Sequence, residues 1–162
     1  MNLCISVFVL FLSYLLRRYF RNIFHVIKIK GSSMFPTFSH GNLVIVKKCS
    51  KYKNGDIIVF KMKNLFLIKR IIITEGEIIE LKKGSVFRNH NIIFEPYVHN
   101  QKTYGDEGIH IIKKNHVFVM GDNRNNSLDS RSNKIGQVKV DQVIGRVCFI
   151  RLHYFREKIL RK

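Results

Sequence analysis

LFLIKRIII, residues 65–73, sets two adjacent cations inside an otherwise unbroken run of Leu, Phe and Ile. As a strand with a side-chain period of two, it places Leu65, Leu67, Lys69, Ile71 and Ile73 on one face and Phe66, Ile68, Arg70 and Ile72 on the other. Both faces are apolar enough for burial, which makes Lys69 an anomaly. Desolvating an ammonium is expensive, and lysine is almost never fully buried without a partner. Either the strand is exposed at that point or Lys69 is held largely neutral. Burial can pull a lysine pKa from about 10.4 to about 5–6, and a neutral amine is a usable general base near pH 7. Holding it at about 7.5 costs about 4 kcal/mol, which a domain tolerates only for a reason.

Outward from this segment, short runs of Ile, Val and Phe recur at Leu43 to Val46, Ile57 to Phe60, Ile78 to Leu81, Ile109 to Ile112, Val117 to Met120 and Val143 to Ile150. Turn signals separate them: Ser39-His40-Gly41-Asn42, Lys53-Asn54-Gly55-Asp56, Thr74-Glu75-Gly76-Glu77 and Lys82-Lys83-Gly84-Ser85. The pattern predicts an all-β domain. Residues 88–107, poorer in apolar side chains and carrying Pro96 and Gly105, predict a long loop or a peripheral hairpin. With 162 residues the chain is long enough for one modest core, and 46% hydrophobic and 12% aromatic residues exclude disorder. There is no repeat and no low-complexity tract, which excludes solenoid and linker classes.

Cys4, Cys49 and Cys148 are odd in number and widely spaced, so neither a disulfide framework nor a structural zinc site is expected. The seven histidines are scattered and receive no role, and no glycine-rich phosphate loop follows a strand. The net charge of +18 draws the protein to polyanions, but no nucleic-acid-binding motif accompanies it and the basic residues form no single stripe. It describes a solvated surface, and no nucleic-acid partner is expected.

Leu3 to Leu16 carries no charge and is followed by Arg17, Arg18 and Arg21. A bilayer core needs about 20 helical residues, so this segment spans only with thinning, with Met1 and Asn2 recruited, or with snorkelling arginines. A cleaved signal would need a positive start and a small-residue cleavage site, and neither is present. A buried amphipathic helix is the third possibility. The expectation adopted is an uncleaved membrane anchor or targeting segment over residues 1–25, followed by a catalytic domain over 26–162. No Asp or Glu precedes Asp56, a basic, acid-poor character typical of organelle-targeting segments.

Gly31-Ser32-Ser33-Met34-Phe35-Pro36-Thr37 forms a shaped loop, because Pro36 extends Phe35 and the glycine permits close backbone approach. A serine on such a loop needs a base, and the G-x-S-x-G elbow of Ser-His-Asp hydrolases is absent. Serine and lysine form one of the convergent variants of that logic. The chain now resembles the type I signal peptidases: hydrophobic N-terminus, GSSMFPTF at 31–38, GDIIVF at 55–60, KRIII at 69–73 and GDNRNNSLDSR at 121–131 follow the family's order over nearly the whole length. The last block lacks the alternation and closing Glu of a calcium loop.

The resemblance implies a signal-peptidase-like catalytic β domain with an N-terminal hydrophobic anchor helix. It implies Ser33 as acylating nucleophile and Lys69 as general base, with the Ser33 N–H donating to the oxyanion. A second, hydroxyl donor used by some relatives falls at Gly31, leaving the Gly31 N–H and Ser32 as candidates. Ser127 would orient the Lys69 amine by a hydrogen bond, and Asp129 and Arg131 would pair to brace the loop. Gly121, Asp122 and Asn123 would shape the backbone beside the site, and Arg70 would be structural or face the substrate. Substrates implied are translocated precursor proteins with small residues at −1 and −3, bound as an added strand, with no metal or cofactor.

The short interval between Lys69 and Gly121 leaves no room for the large inserted domain of many Gram-negative relatives. Small size and the acid-poor N-terminus point to a mitochondrial inner membrane protease subunit facing the intermembrane space, for which a second protease subunit is a candidate partner. The GDNRNNSLDSR block is equally like bacterial and plastid members. Basic residues lying only after the apolar segment would hold the domain on the cytoplasmic or matrix side, opposite to the family's topology. A truncated start or an import route indifferent to local charge would reconcile the two. A self-cleaving repressor would need an N-terminal DNA-binding domain for which there is no room. From another class, a catalytically idle basic membrane-tethered module would bind polyanions in a strongly salt-dependent way.

Overall fold

The computed structural model describes residues 2–98, 102–105 and 108–148, and within the N-terminal helix the side chains of 6–15, 18 and 23. Helix α1 (Asn2–Ile23) runs directly into β1 (Phe24–Lys28). The other strands are β2 (Leu43–Lys47), β3 (Ile57–Met62), β4 (Leu65–Ile73), β5 (Ile78–Lys82), β6 (Ser85–Arg88), β7 (Asn91–Ile92), β8 (Gly108–Ile111), β9 (His116–Met120), β10 (Val138–Lys139) and β11 (Val143–Cys148). The all-β expectation matches this architecture.

Seven strands form one antiparallel sheet in the order β1-β2-β11-β3-β4-β9-β10, and four form a second in the order β7-β6-β5-β8. The predicted runs fall on strands, except that Ile112 lies just past the end of β8 and residues 149 and 150 of the last run lie outside the described residues. The peripheral hairpin expected within 88–107 begins earlier: β6 and β7 pair Phe87 with Ile92 and Arg88 with Asn91. Residues 93–98 and 102–105 then run without strand structure.

Strand β4 departs from a uniform two-face pattern. Leu65 and Phe66, at its start, are exposed, whereas Ile71, Ile72 and Ile73 are all buried. A bulge against β9 between Ile71 and Ile73 breaks the alternation there, so Ile72 and Ile73 join one cluster and Ile71 another. The first cluster, with Ile79, Leu81, Val86, Ile112, Phe118 and Met120, ties the small sheet to β4 and β9. A third, of Ile29, Met34, Phe38, Val44, Val46 and Val59, sits beneath the loop that carries Ser33.

In α1, Val7 to Leu12, Tyr14 and Leu15 are exposed. Among the described residues no helix is long and apolar enough to cross a membrane. The Arg-rich end of α1 is what shortens its apolar part. Cys49 and Cys148 are free thiols, and the side chain of Cys4 lies outside the described residues.

Candidate active site

The loop between β1 and β2 turns sharply at Gly31, whose φ of +85° is one that side-chain-bearing residues rarely adopt. Its amide donates to His40 Nδ1 (3.2 Å), so His40, given no role above, helps hold the turn. Met34 and Phe38 then plunge into the third cluster, at 1% and 3% exposure, and pin the loop from both ends. Ser33, immediately before the first anchor, is left half-buried at the wall of a groove of about 370 Å³. That groove runs between Ile27–Lys30 on one side and Asn64–Lys69 on the other, with Val59 at its floor.

Lys69 is 3% exposed, which decides between the two readings of its strand. Its Nζ lies 2.7 Å from Ser33 Oγ and donates to the Ile68 carbonyl at 2.9 Å. Burial lowers its pKa from 10.5 to about 8, the carboxylates of Asp129 and Asp122 pulling back up and the Arg131 cation adding to the depression. No carboxylate is ion-paired to it among the described residues. The 2.7 Å separation serves the proton in either direction: an ammonium donating to Oγ, or the hydroxyl donating to a neutral amine.

The segment 121–131 closes over this pair. Asn123 N–H donates to the Ser33 carbonyl (3.0 Å), and Asn126 Nδ2 donates to Ser32 Oγ (2.8 Å). Gly121 is there because nothing larger fits: a Cβ would run into Ser127 Oγ and stand 2.5 Å from the Ser33 carbonyl oxygen. Asp129, 1% exposed, takes the Gly121 N–H (3.0 Å) and pairs with Arg131 (2.8 Å). Burial pushes the Asp129 carboxyl up, but Arg131 and the Gly121 amide outweigh it and hold it below its ordinary value.

Arg70, beside Lys69 in sequence, is a structural group. It forms a two-pronged pair with Asp122 (2.8 and 2.6 Å), whose side chain is fully buried, and Asp122 also accepts from Thr37 Oγ1 (2.5 Å) on the serine's own loop. Thus the serine loop, β4 and the 121–131 segment are joined by one carboxylate.

Ser33, Lys69, Ser32, Gly31, Ser127, Asp129 and Arg131 are all brought to this neighbourhood, with one difference from expectation. Ser127 Oγ is buried with no partner at ordinary hydrogen-bond geometry, its weak contact being to the Asp129 carboxylate, so the expected bond to the Lys69 amine is not made. The amine's contacts go to Ser33 and Ile68, because Lys69 is drawn along its own strand and toward the Ser33 loop. Sequence reasoning missed Thr37, Glu95, Tyr97 and Arg124. Thr37 and Arg124 stand inside recognised blocks, but Glu95 and Tyr97 lie in a segment with no periodic signal.

A family model described as "Signal peptidase, peptidase S26" matches residues 1–152. The chain is similar to signal peptidase I T of Bacillus subtilis, 34% identical over 84% of this chain and 77% of that protein. It is also similar to the chloroplastic thylakoidal processing peptidase 1 of Arabidopsis thaliana, 33% identical over 75% of this chain and 40% of that one. Among solved structures, a signal peptidase I from Enterococcus faecalis V583 superposes with a TM-score of 0.54 at 26% identity, covering 62% of this chain and all of that one.

Proposed function

From the premise that the chain belongs to the signal peptidase family S26, and is therefore a serine endopeptidase, we propose that Ser33 and Lys69 are its catalytic pair, removing signal or sorting peptides from translocated precursor proteins. The observation that carries this is the 2.7 Å contact between a buried, pKa-lowered amine and a serine hydroxyl on a groove wall. Neutral Lys69 takes the Ser33 proton as Oγ attacks the scissile carbonyl, forming the C–O bond of the acyl-enzyme. The ammonium then gives that proton to the leaving amine, and the regenerated amine activates the deacylating water.

The Ser33 N–H serves the oxyanion. Of the two candidates for a second donor, the Gly31 N–H is committed to His40, whereas the Ser32 hydroxyl accepts from Asn126 and retains its own proton to donate. Ser127 supplies a buried hydroxyl, held only weakly beside Asp129, that steadies the lysine once Ser33 has turned to the substrate. Asp129 and Arg131 brace the loop behind it. The groove accepts the precursor as an added strand, small residues at −1 and −3 fitting its walls.

The exposed apolar part of α1, Val7 to Leu12 with Tyr14 and Leu15, anchors the enzyme on lipid. For compartment, the acid-poor N-terminus supports a mitochondrial inner membrane protease subunit, with a second subunit as partner. The Bacillus and thylakoidal relatives support a bacterial or plastid signal peptidase.

The test is cleavage of a precursor peptide with Ala at −1 and −3 by detergent-solubilised protein. Loss of cleavage in both Ser33→Ala and Lys69→Ala supports the pair. Undiminished cleavage by either variant overturns it. Fractionation of the source cells decides the compartment: recovery with mitochondrial inner membrane supports the first assignment, and recovery with plasma or thylakoid membrane the second.

A further inference from the structure

Behind the proposed catalytic pair, the segment that leaves the small sheet makes a concentrated set of contacts with two of the arginines of the active-site blocks, Arg70 and Arg124. Glu95 takes both terminal nitrogens of Arg124, at 2.7 and 2.6 Å, and Arg124 has no exposed side-chain surface. Arg124 also donates to Thr103 Oγ1 (2.5 Å) and to the carbonyl of Gly121 (3.1 Å), the residue wedged between Ser33 and Ser127. Tyr97 donates its hydroxyl to Glu95 (2.7 Å), and Arg70 sits over its ring, 3.9 Å from the guanidinium carbon to the ring centre. Burial, and next to it the Glu95 carboxylate, push the Tyr97 phenol up, so it stays a neutral donor across the working pH range.

We infer that Tyr97 and Glu95 are positioning residues of the peptidase: they clamp Arg70 and Arg124 together and so set the placement of Asp122, Gly121 and the Ser33 loop around Lys69. This rests on the assignment of Ser33 and Lys69 above. The physical reason is that each arginine must be held in a dry setting against a loop with little regular structure. Arg124 buried without Glu95 would be an uncompensated charge. Arg70 faces two masters, Asp122 in front and the Tyr97 ring behind, and loses its fixed plane if the ring is removed. Asp122 is also hydrogen-bonded to Thr37, four residues after the nucleophile. A swing of Arg70 therefore reaches both the serine loop and the field at the amine.

The direction of that effect on Lys69 follows from the charges around it, namely Asp129, Asp122 and Arg131. When Arg70 holds Asp122 less firmly, the Asp122 charge acts on Lys69 with less compensation, and water gains access. Both raise the amine pKa. Loss of the clamp is thus expected to lower kcat and to move the rate profile to higher pH while leaving KM nearly unchanged, because neither residue lines the groove.

The experiment uses the full chain in detergent with three variants: Tyr97→Leu, which removes the ring and the hydroxyl; Tyr97→Phe, which keeps the ring; and Phe94→Ser, a control at a 90% exposed position of the same segment. All are assayed well below their melting temperatures. Tyr97→Leu is expected to lose about tenfold to hundredfold in kcat, as a displacement of order 1 Å does, with substantial rescue in Tyr97→Phe and no change in Phe94→Ser. In parallel, the 13Cε resonance of Lys69 in lysine-labelled protein, assigned by its loss in Lys69→Ala, is titrated. An upward shift in Tyr97→Leu is expected. The inference is overturned if the folded Tyr97→Leu keeps the wild-type Lys69 titration, or if Phe94→Ser is impaired as severely. The titration needs no substrate, so failure of the wild type to cleave would count against the catalytic assignment while the resonance still decides whether the clamp positions the amine.

Discussion

Lys69 and Arg70 are neighbours on one strand, yet the molecule treats their charges in opposite ways. Arg70 is given a buried carboxylate, a threonine and an aromatic face. Lys69 is given a hydroxyl and a carbonyl, with its nearest carboxylates occupied by other arginines. Arg70 keeps its proton under all conditions, so the fold can spend it on structure; Lys69 is starved of counter-charge, and its lowered pKa suits the proposed role of base. The alternation of a β-strand makes this possible, because adjacent side chains leave on opposite faces and meet different surroundings 3.3 Å or so apart along the chain.

The largest expected break in this contrast comes from removing the amine. Lys69→Ala should lower kcat by roughly 10³-fold or more, as loss of a general base does, and Ser33→Ala should match it without adding to it in the double variant. Steady-state cleavage measures both. Lys69→Met should be equally inactive and yet at least as stable as wild type near neutral pH, because an amine that resists burial is replaced by an apolar chain. Arg70→Met should behave in the reverse sense, losing about 3–5 kcal/mol in chemical denaturation because Asp122 is left buried and unpaired.

The pH dependence separates the two cations as well. The wild-type rate should rise with pH through an apparent pKa of about 8, tracking the neutral amine. For stability the sign follows from proton counting. The unfolded chain holds the Lys69 proton up to about 10.5 and the folded chain only to about 8, so between these values the unfolded state binds more protons and stability rises with pH. That Lys69 contribution to the rise should vanish in Lys69→Met, seen as a flatter difference curve in denaturation from pH 8 to 10.

Smaller effects test the packing that keeps the two surroundings apart. Gly121→Ala should cost about 1–3 kcal/mol, since its methyl group must displace Ser127 and the Ser33 backbone, and cleavage should fall with it. Ser127→Ala should cost least, about tenfold in kcat with little change in thermal stability, because its hydroxyl offers Asp129 only a weak contact beside the Arg131 pair. A stability loss in Ser127→Ala as large as that of Gly121→Ala would show that the hydroxyl is a structural member of the loop.

Much of this is legible in the sequence alone. The strands that carry the sheet announce themselves through Ile- and Val-rich runs between Gly-containing turns, and Lys69 stands out because burial and charge conflict. The β6–β7 hairpin is blurred in the sequence, since Ser85, Arg88 and Asn91 dilute its apolar pattern and its order comes from pairing across the small sheet. The bulge that puts Ile72 and Ile73 in one cluster is likewise a property of β9 as much as of β4.

By itself the sequence determined which groups could do the chemistry: a serine before an anchoring Met34, a lysine in an apolar strand, and a polar block able to fold back on both. Period, turn chemistry and the cost of a buried ammonium are local quantities, legible within a few residues. Only the tertiary structure decided that the Gly31 amide goes to His40, that the amine bonds to Ser33 and Ile68 with Ser127 left over, and that Glu95 and Tyr97 stand behind both arginines. Those choices are competitions between donors and acceptors that are far apart in sequence. Their outcome depends on distances set by the packed sheets.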